Sequence, residues 1–107
     1  SFYIPPTTNV AALPSGAVEG INYNANNTEV TLVLYAPGKN NVVAFGDFSN
    51  WTNQCTYQMN RTPDANYYWI TLTGLTPGFE YGYQYLINNR PRRYLPNSRT
   101  TIQLAGK

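Results

Sequence analysis

The sequence predicts an all-β protein, an immunoglobulin-like antiparallel β-sandwich of about seven strands. Short segments of alternating apolar and polar residues recur along the chain, and Gly, Pro and Asn residues separate them at short intervals. No segment shows the repeat of about 3.6 residues that an amphipathic helix requires. With 107 residues and no internal repeat, the sequence predicts one domain.

The first sixteen residues differ in composition from the rest of the chain. Pro5, Pro6 and Pro14 lie there among small and polar residues, which favours an extended segment over a core strand. We therefore predict that residues 1–16 form an extended N-terminal lead-in and that residues 17–107 form the sandwich module.

Strands are expected to follow the lead-in, each bounded by turn-forming residues. In chain order the predicted strands are residues 17–23, 29–36, 41–48, 56–60, 67–73, 80–87 and a last strand near 100–104. Turns between them include Asn-Ala-Asn-Asn, Pro-Gly, Pro-Asp, Gly-Leu-Thr-Pro-Gly and Asn-Asn, all of which favour reversal of the chain.

Alternation within these strands assigns side chains to opposite faces. The side chains that we expect to share the inward faces are Val30, Leu32, Leu34, Val42, Ala44, Gly46, Phe48, Tyr68, Ile70, Leu72, Tyr81, Tyr83, Tyr85 and Ile87. Their neighbours Thr31, Val33, Val43 and Phe45 are predicted to point outward.

Trp69 is also predicted to point outward, in an aromatic surface strip with Tyr67 and Tyr35. An exposed strip of this kind indicates a contact with a neighbouring domain, in which case Trp69 is exposed in the isolated module, or a flat platform for a polysaccharide. The alternative is the opposite facing of this strand, with Trp69 in the core.

One segment is distinctive, Gly-Asp-Phe-Ser-Asn-Trp at residues 46–51. An apolar strand runs into it, and Gly46 and Asn50 permit backbone conformations that bulkier residues resist. We expect Asp47 to accept backbone N–H groups of this turn and Trp51 to be held rigidly at the surface. Such an indole suits a sugar-binding site, where Asn50 could supply hydrogen bonds, or a contact between domains.

The composition argues against several classes of function. Charged residues make up only 11% of the chain, so the surface is expected to consist of Asn, Thr, Gln, Ser and Tyr, which suits neutral ligands such as glycans. There is no His, and the single Cys55 can form no internal disulfide. The five carboxylates do not have the arrangement of a glycosidase pair. We therefore predict a protein that is not an enzyme and needs no cofactor or metal.

Arginine residues are concentrated near the C-terminal end, at Arg90, Arg92, Arg93 and Arg99. The stretch is too short for a nucleic-acid surface, so we expect a solvated hairpin or ion pairs with a partner domain. No apolar run is long enough to insert into a membrane, and the sequence does not identify a compartment.

Four segments in this order resemble one known family: residues 29–37, 46–51, 74–78 and 81–89. They are similar to the early-set, immunoglobulin-like module that precedes the catalytic barrel of α-amylase-family glycoside hydrolases, and to the related carbohydrate-binding module family 48 and glycogen-binding domains. The resemblance covers about residues 20–89 and implies a location that is secreted, periplasmic or on a bacterial cell surface.

The resemblance also implies binding residues. Glycogen-binding relatives stack glucose on two Trp side chains and bind hydroxyl groups with a Lys. Trp51 matches the first Trp and Gln84 stands at the Lys position, whereas residues 89–91, the counterpart of the second Trp, contain no Trp. The missing wall of the site would then come from Trp69, from Arg90 and its hairpin, or from another domain.

The implied function is that of a non-catalytic accessory module. It would pack beside a glycoside hydrolase catalytic domain and bind α-glucan weakly, through stacking on Trp51 and hydrogen bonds from amides. Two alternatives remain: a purely structural domain that binds no glycan, and a stand-alone cell-surface module with a protein partner.

Overall fold

The computed structural model describes residues 7–52, 55–88, 90–91 and 100–106. Its strands are β1 (Gly20–Tyr23), β2 (Val30–Tyr35), β3 (Val42–Gly46), β4 (Asn60–Arg61), β5 (Tyr67–Leu72), β6 (Glu80–Ile87), β7 (Arg90–Pro91) and β8 (Thr100–Gln103). Short 3-10 helical turns occupy Asp47–Ser49 and Cys55–Tyr57.

The strands form two antiparallel sheets, which confirms the predicted β-sandwich. Sheet 1 has the strand order β1-β2-β5-β4. Sheet 2 has the order β3-β6-β7, and β8 also pairs with β6. The hydrophobic core lies between the sheets and is built by alternate residues of their strands, as the period of two residues requires.

The predicted facing of the strands is confirmed. Val30, Leu32 and Leu34 are buried in the core, as are the predicted inward residues of β3 and β5. Two outward residues, Val33 and Val43, are nevertheless 2% and 1% exposed. Both sit on outer sheet faces, so other parts of the chain must cover those faces.

The predicted strand at residues 56–60 is wrong in its first part, which is a 3-10 helical turn. Here the chain crosses from one sheet to the other. Gln58 forms a bridge with Val43 in sheet 2, and two residues later Asn60 pairs with Trp69 in sheet 1. A segment that pairs with both sheets within three residues cannot continue as one straight strand.

Within the N-terminal lead-in, described residues pack against the edge of sheet 1. Val10 forms a parallel bridge with Arg61 at the outer edge of β4. The Ala11 N–H donates to the Arg61 carbonyl at 2.9 Å, and the Arg61 N–H donates to the Asn9 carbonyl at 2.8 Å. Residues 9–11 therefore cover the open edge of this short strand, which would otherwise expose unpaired backbone groups.

Candidate functional site

The turn after β3 places Trp51 at a fixed position. Asn50 and Trp51 both adopt the left-handed backbone region, with φ of 55° and 57°. The Trp51 N–H donates to the Gly46 carbonyl at 2.8 Å, and the buried Ser49 hydroxyl lies 3.1 Å from both the N–H and the carbonyl of Gly46. The backbone of the turn is therefore closed by its own hydrogen bonds.

Gly46 is required in this turn for its size. Its φ of 174° is extended backbone that any residue adopts, so the expectation of a special conformation at Gly46 is wrong. A Cβ at this position would lie 2.7 Å from Tyr83 Cα and would overlap the Gly82 carbonyl oxygen. The absence of a side chain allows β3 and β6 to approach closely beside the turn.

Asp47 connects the Trp51 side chain to sheet 2. One carboxylate oxygen accepts the indole Nε1–H at 2.8 Å, and the other accepts the Gly82 backbone N–H at 2.7 Å. Asp47 was expected to accept backbone N–H groups of its own turn. Its bonds to the Gly82 N–H of β6 and to the indole were not predicted. Together the two bonds restrict the rotation of the Trp51 side chain before any ligand arrives.

Phe45 joins Trp51 and Gln84 into one surface, which we call the Trp51 face. Phe45 lies directly opposite Gln84 in the pairing of β3 with β6, so both side chains are on the outer side of sheet 2. The Phe45 and Trp51 rings are 5.6 Å apart between centroids and meet edge-to-face at 88°. Asn50 is exposed beside Trp51, and Trp51, Phe45 and Gln84 are each partly exposed.

Phe45 was predicted to point outward from its strand, but no role followed from that position alone. Its importance depends on the position of Trp51, which is set by a turn and a side-chain hydrogen bond. The structure thus brings the candidates Trp51, Asn50 and Gln84 to one face and adds a second aromatic ring there.

Arg90 lies in β7, further along the same sheet. Its backbone pairs with Ile87 of β6, while its side chain lies outside the described part of the structure. Arg92, Arg93 and Arg99 also lie outside the described residues.

Trp69 lies on the outer side of sheet 1 and is not brought together with Trp51. In the strand register it stands opposite Val33 on one side and Asn60 on the other. Its indole Nε1–H donates to the Ala11 carbonyl at 2.9 Å, and its side chain is only partly exposed. The N-terminal segment thus occupies a hydrogen-bonding group that a partner domain or a glycan would have to reach.

The remainder of the predicted aromatic strip is open. Tyr35 and Tyr67 are directly paired between β2 and β5, and their rings meet edge-to-face with centroids 5.2 Å apart. Tyr35 is 50% exposed. This pair is an accessible aromatic surface of sheet 1.

The pKa of the Asp64 carboxyl is lowered, first by the Thr62 hydroxyl and then by the Asn66 backbone N–H, which donate to it at 2.6 and 3.0 Å. Asp64 lies in the turn between β4 and β5, so these bonds support a hairpin.

Among the residues described, no cluster of His, Cys, Asp and Glu has a metal-binding arrangement, and no helix is long and apolar enough to cross a membrane.

An immunoglobulin-like sandwich that fixes a partly exposed Trp beside an amide side chain has the features of a non-catalytic sugar-binding module. The chain belongs to carbohydrate-binding module family 48, because the model of that family, described as the isoamylase N-terminal domain, matches residues 19–98. Among curated proteins, none matches the chain. The predicted family is confirmed, and membership identifies a carbohydrate-binding accessory module that is not an enzyme by itself.

Proposed function

We propose that this module binds α-glucan weakly at the Trp51 face and packs beside the catalytic domain of an α-amylase-type glycoside hydrolase. The observation that carries the proposal is the Asp47 carboxylate, which bonds the Trp51 indole and the Gly82 N–H at once. A ring already held in place loses little conformational freedom when a sugar stacks on it, so more of the contact energy contributes to affinity.

The geometry of the two rings favours a curved chain over a flat one. Phe45 and Trp51 stand at 88° to each other, so they cannot form a single flat platform. A ribbon-like β-1,4-linked glucan presents its sugar rings in nearly one plane and would contact only one of these rings. An α-linked glucan curves, and successive sugars can contact both rings while the amides of Gln84 and Asn50 bind hydroxyl groups.

Binding is expected to be weak because Trp51 offers a single indole. A Kd on the order of 1 mM corresponds to about −4 kcal/mol, which one stacked ring and a few hydrogen bonds can supply.

The test uses Trp69→Phe as the parent protein, so that fluorescence reports Trp51 alone. Titration with maltoheptaose should change the emission in a saturable way, whereas the flat cellopentaose should bind far more weakly and change it less, because it meets one ring only. The additional change Gln84→Ala should weaken the response. Tyr35→Ala, which removes an exposed aromatic from the other sheet, should leave it unchanged. An emission spectrum that responds to neither glycan would contradict glucan binding at Trp51.

The Tyr35–Tyr67 pair favours a second role, contact with the catalytic domain. It is an exposed aromatic surface on the side of the sandwich away from the Trp51 face. The natural gene tests this role first: a catalytic barrel encoded in the same reading frame supports it, and a gene that encodes no such barrel contradicts it. In a protein with the barrel, Tyr35→Ser should lower the unfolding temperature of the complete chain more than that of the isolated module.

A further inference from the structure

A polar pocket lies on sheet 1, away from the Trp51 face. It is formed between the turn at residues 14–17 and strands β1 and β2, and its volume is about 270 Å³. Its polar lining includes Ser15, Asn22, Asn24 and Thr31, and none of its lining residues carries a formal charge. Small-molecule pockets begin at about 300 Å³, so a pocket of this size suits one small neutral ligand.

Asn22 makes one wall of the pocket rigid. Its carboxamide oxygen accepts the Val18 N–H at 2.9 Å, and its amide nitrogen donates to the carbonyls of Val18 and Thr31 at 2.7 and 3.1 Å. The Thr31 hydroxyl lies 2.8 Å from that of Thr71. Because these groups are already bonded within the protein, they shape the pocket and leave recognition to other residues.

The turn at residues 14–17 supplies the donors. The Ala17 N–H donates to the Pro14 carbonyl at 3.0 Å, and Gly16 has a φ of 82°, which together define a type II turn. Within the described part of the chain, the Ser15 hydroxyl and the N–H groups of Ser15 and Gly16 make no hydrogen bond. These groups are therefore available to a ligand.

Asn24 supplies an acceptor. Its amide nitrogen donates to a Glu29 carboxylate oxygen at 3.1 Å, which fixes the side chain and leaves its carboxamide oxygen for a second partner. The pocket thus combines donors on one side with an acceptor on the other. Neighbouring hydroxyl groups of a sugar, which both donate and accept, match this pattern, whereas an ion would find no charged residue in the lining.

We propose that this pocket is a second glycan site, which binds a single sugar unit at the end of a neutral oligosaccharide. It lies on sheet 1 and shares no residue with the Trp51 face on sheet 2, so neither site depends on the other. With a site on each sheet, one module can hold two glucan chains, or two branches of one chain. Two weak sites then raise the retention of the module on an insoluble or branched polysaccharide well above that of either alone.

The test is an NMR titration of the Trp51→Ala variant with maltose, followed by backbone amide signals. Saturable shifts should appear at residues 15–17 and 22–24, with sorbitol as a control polyol that lacks a ring. Asn24→Ala should weaken maltose binding about fivefold by removing the acceptor. Asn26→Ala is the matched control, because this exposed Asn lies in the same turn and does not line the pocket; it should bind maltose like its parent.

Ser15→Pro provides a variant that keeps the fold of the turn. Proline is favoured at this position of a type II turn, and it removes both the hydroxyl and the N–H of Ser15. Maltose binding should fall about fivefold here as well. The proposal is overturned if the pocket amides do not shift, or if Asn24→Ala and Ser15→Pro both bind maltose as their parent does. In the wild type, maltose-induced shifts confined to the pocket residues would contradict glycan binding at the Trp51 face and would support glycan binding in the pocket.

Discussion

At the scale of single residues, Asp47 holds the Trp51 indole of the candidate site in place. It is an exposed carboxylate in a sequence poor in charge, and it accepts hydrogen bonds from an indole and from the backbone of a neighbouring strand. The sequence predicted that Asp47 would accept backbone N–H groups of its own turn, as Asp in turns commonly does, but not the N–H of Gly82 in β6. It could not predict the indole bond, which depends on the left-handed backbone of Asn50 and Trp51 and on the rotamer that follows.

We expect Asp47→Ala to lower the free energy of unfolding by about 1–2 kcal/mol, since hydrogen bonds to a charged acceptor are lost and the Gly82 N–H loses its partner. Urea unfolding measures this loss. Glu19→Ala is the control, because Glu19 is an exposed carboxylate with no hydrogen bond among the described residues, and it should leave stability nearly unchanged. Equal stability of the two variants would contradict the role given to Asp47.

The same variant has a second expected effect on binding. Without its carboxylate acceptor the Trp51 indole can rotate, so glucan affinity should fall even though the indole is still present. Trp51 emission during a maltoheptaose titration reports the change. Unchanged affinity would mean that prior fixation of the ring contributes nothing to binding.

At the scale of elements, the strands with clear alternation were predictable and the connections were not. The inward residues of β2 and β5 follow directly from a local period of two residues. The crossing between sheets at residues 58–60 is set by pairing with Val43 and Trp69, which are distant in sequence. The contact of Ala11 with Trp69 is likewise non-local, because 58 residues separate the two in the chain.

Removal of the N-terminal segment tests its packing on sheet 1. In a Trp51→Phe background, where Trp69 is the only Trp, deletion of residues 1–13 should shift the emission to longer wavelength and lower stability. The indole loses its bond to Ala11, and β4 loses its cover. Deletion of residues 1–6 alone retains these contacts and serves as the control. An identical spectrum for the two deletions would contradict the packing of Trp69 beneath this segment.

The hairpin between β4 and β5 has a predictable response to acid. Hydrogen bonds from Thr62 and Asn66 lower the pKa of Asp64 below its ordinary value of 3.8. A carboxyl with a lowered pKa in the folded state stabilises the protein above the unfolded value, and this stabilisation is lost as the pH falls through the folded value. The stability advantage of the wild type over Asp64→Ala should therefore be constant near neutrality and should shrink once the pH drops below 3.8.

Urea midpoints across this pH range check the expectation, with Glu19→Gln as a control for the loss of an exposed carboxylate. If the stability advantage of the wild type over Asp64→Ala grew as the pH fell, the ionised Asp64 carboxylate would not be stabilising the protein.

At the scale of the whole molecule, the sandwich presents two outer faces with different chemistry. Sheet 2 has the fixed indole, a perpendicular second ring and an amide, while sheet 1 has the tyrosine pair, the N-terminal segment and the polar pocket. The sequence predicted the fold and the family from local patterns. It did not predict whether Trp51 and Trp69 lie on the same side of the sandwich, because that depends on how the strands are distributed between the two sheets.

The central claim is that glucan binds the module at the Trp51 face. Chemical-shift mapping of the wild-type module with maltoheptaose tests it most directly. The account predicts that the perturbed signals at this face include the Trp51 indole N–H and the amides of Phe45 and Gln84, and that Trp51→Ala abolishes the shifts of those two amides. A titration in which these three signals stay unperturbed would contradict it.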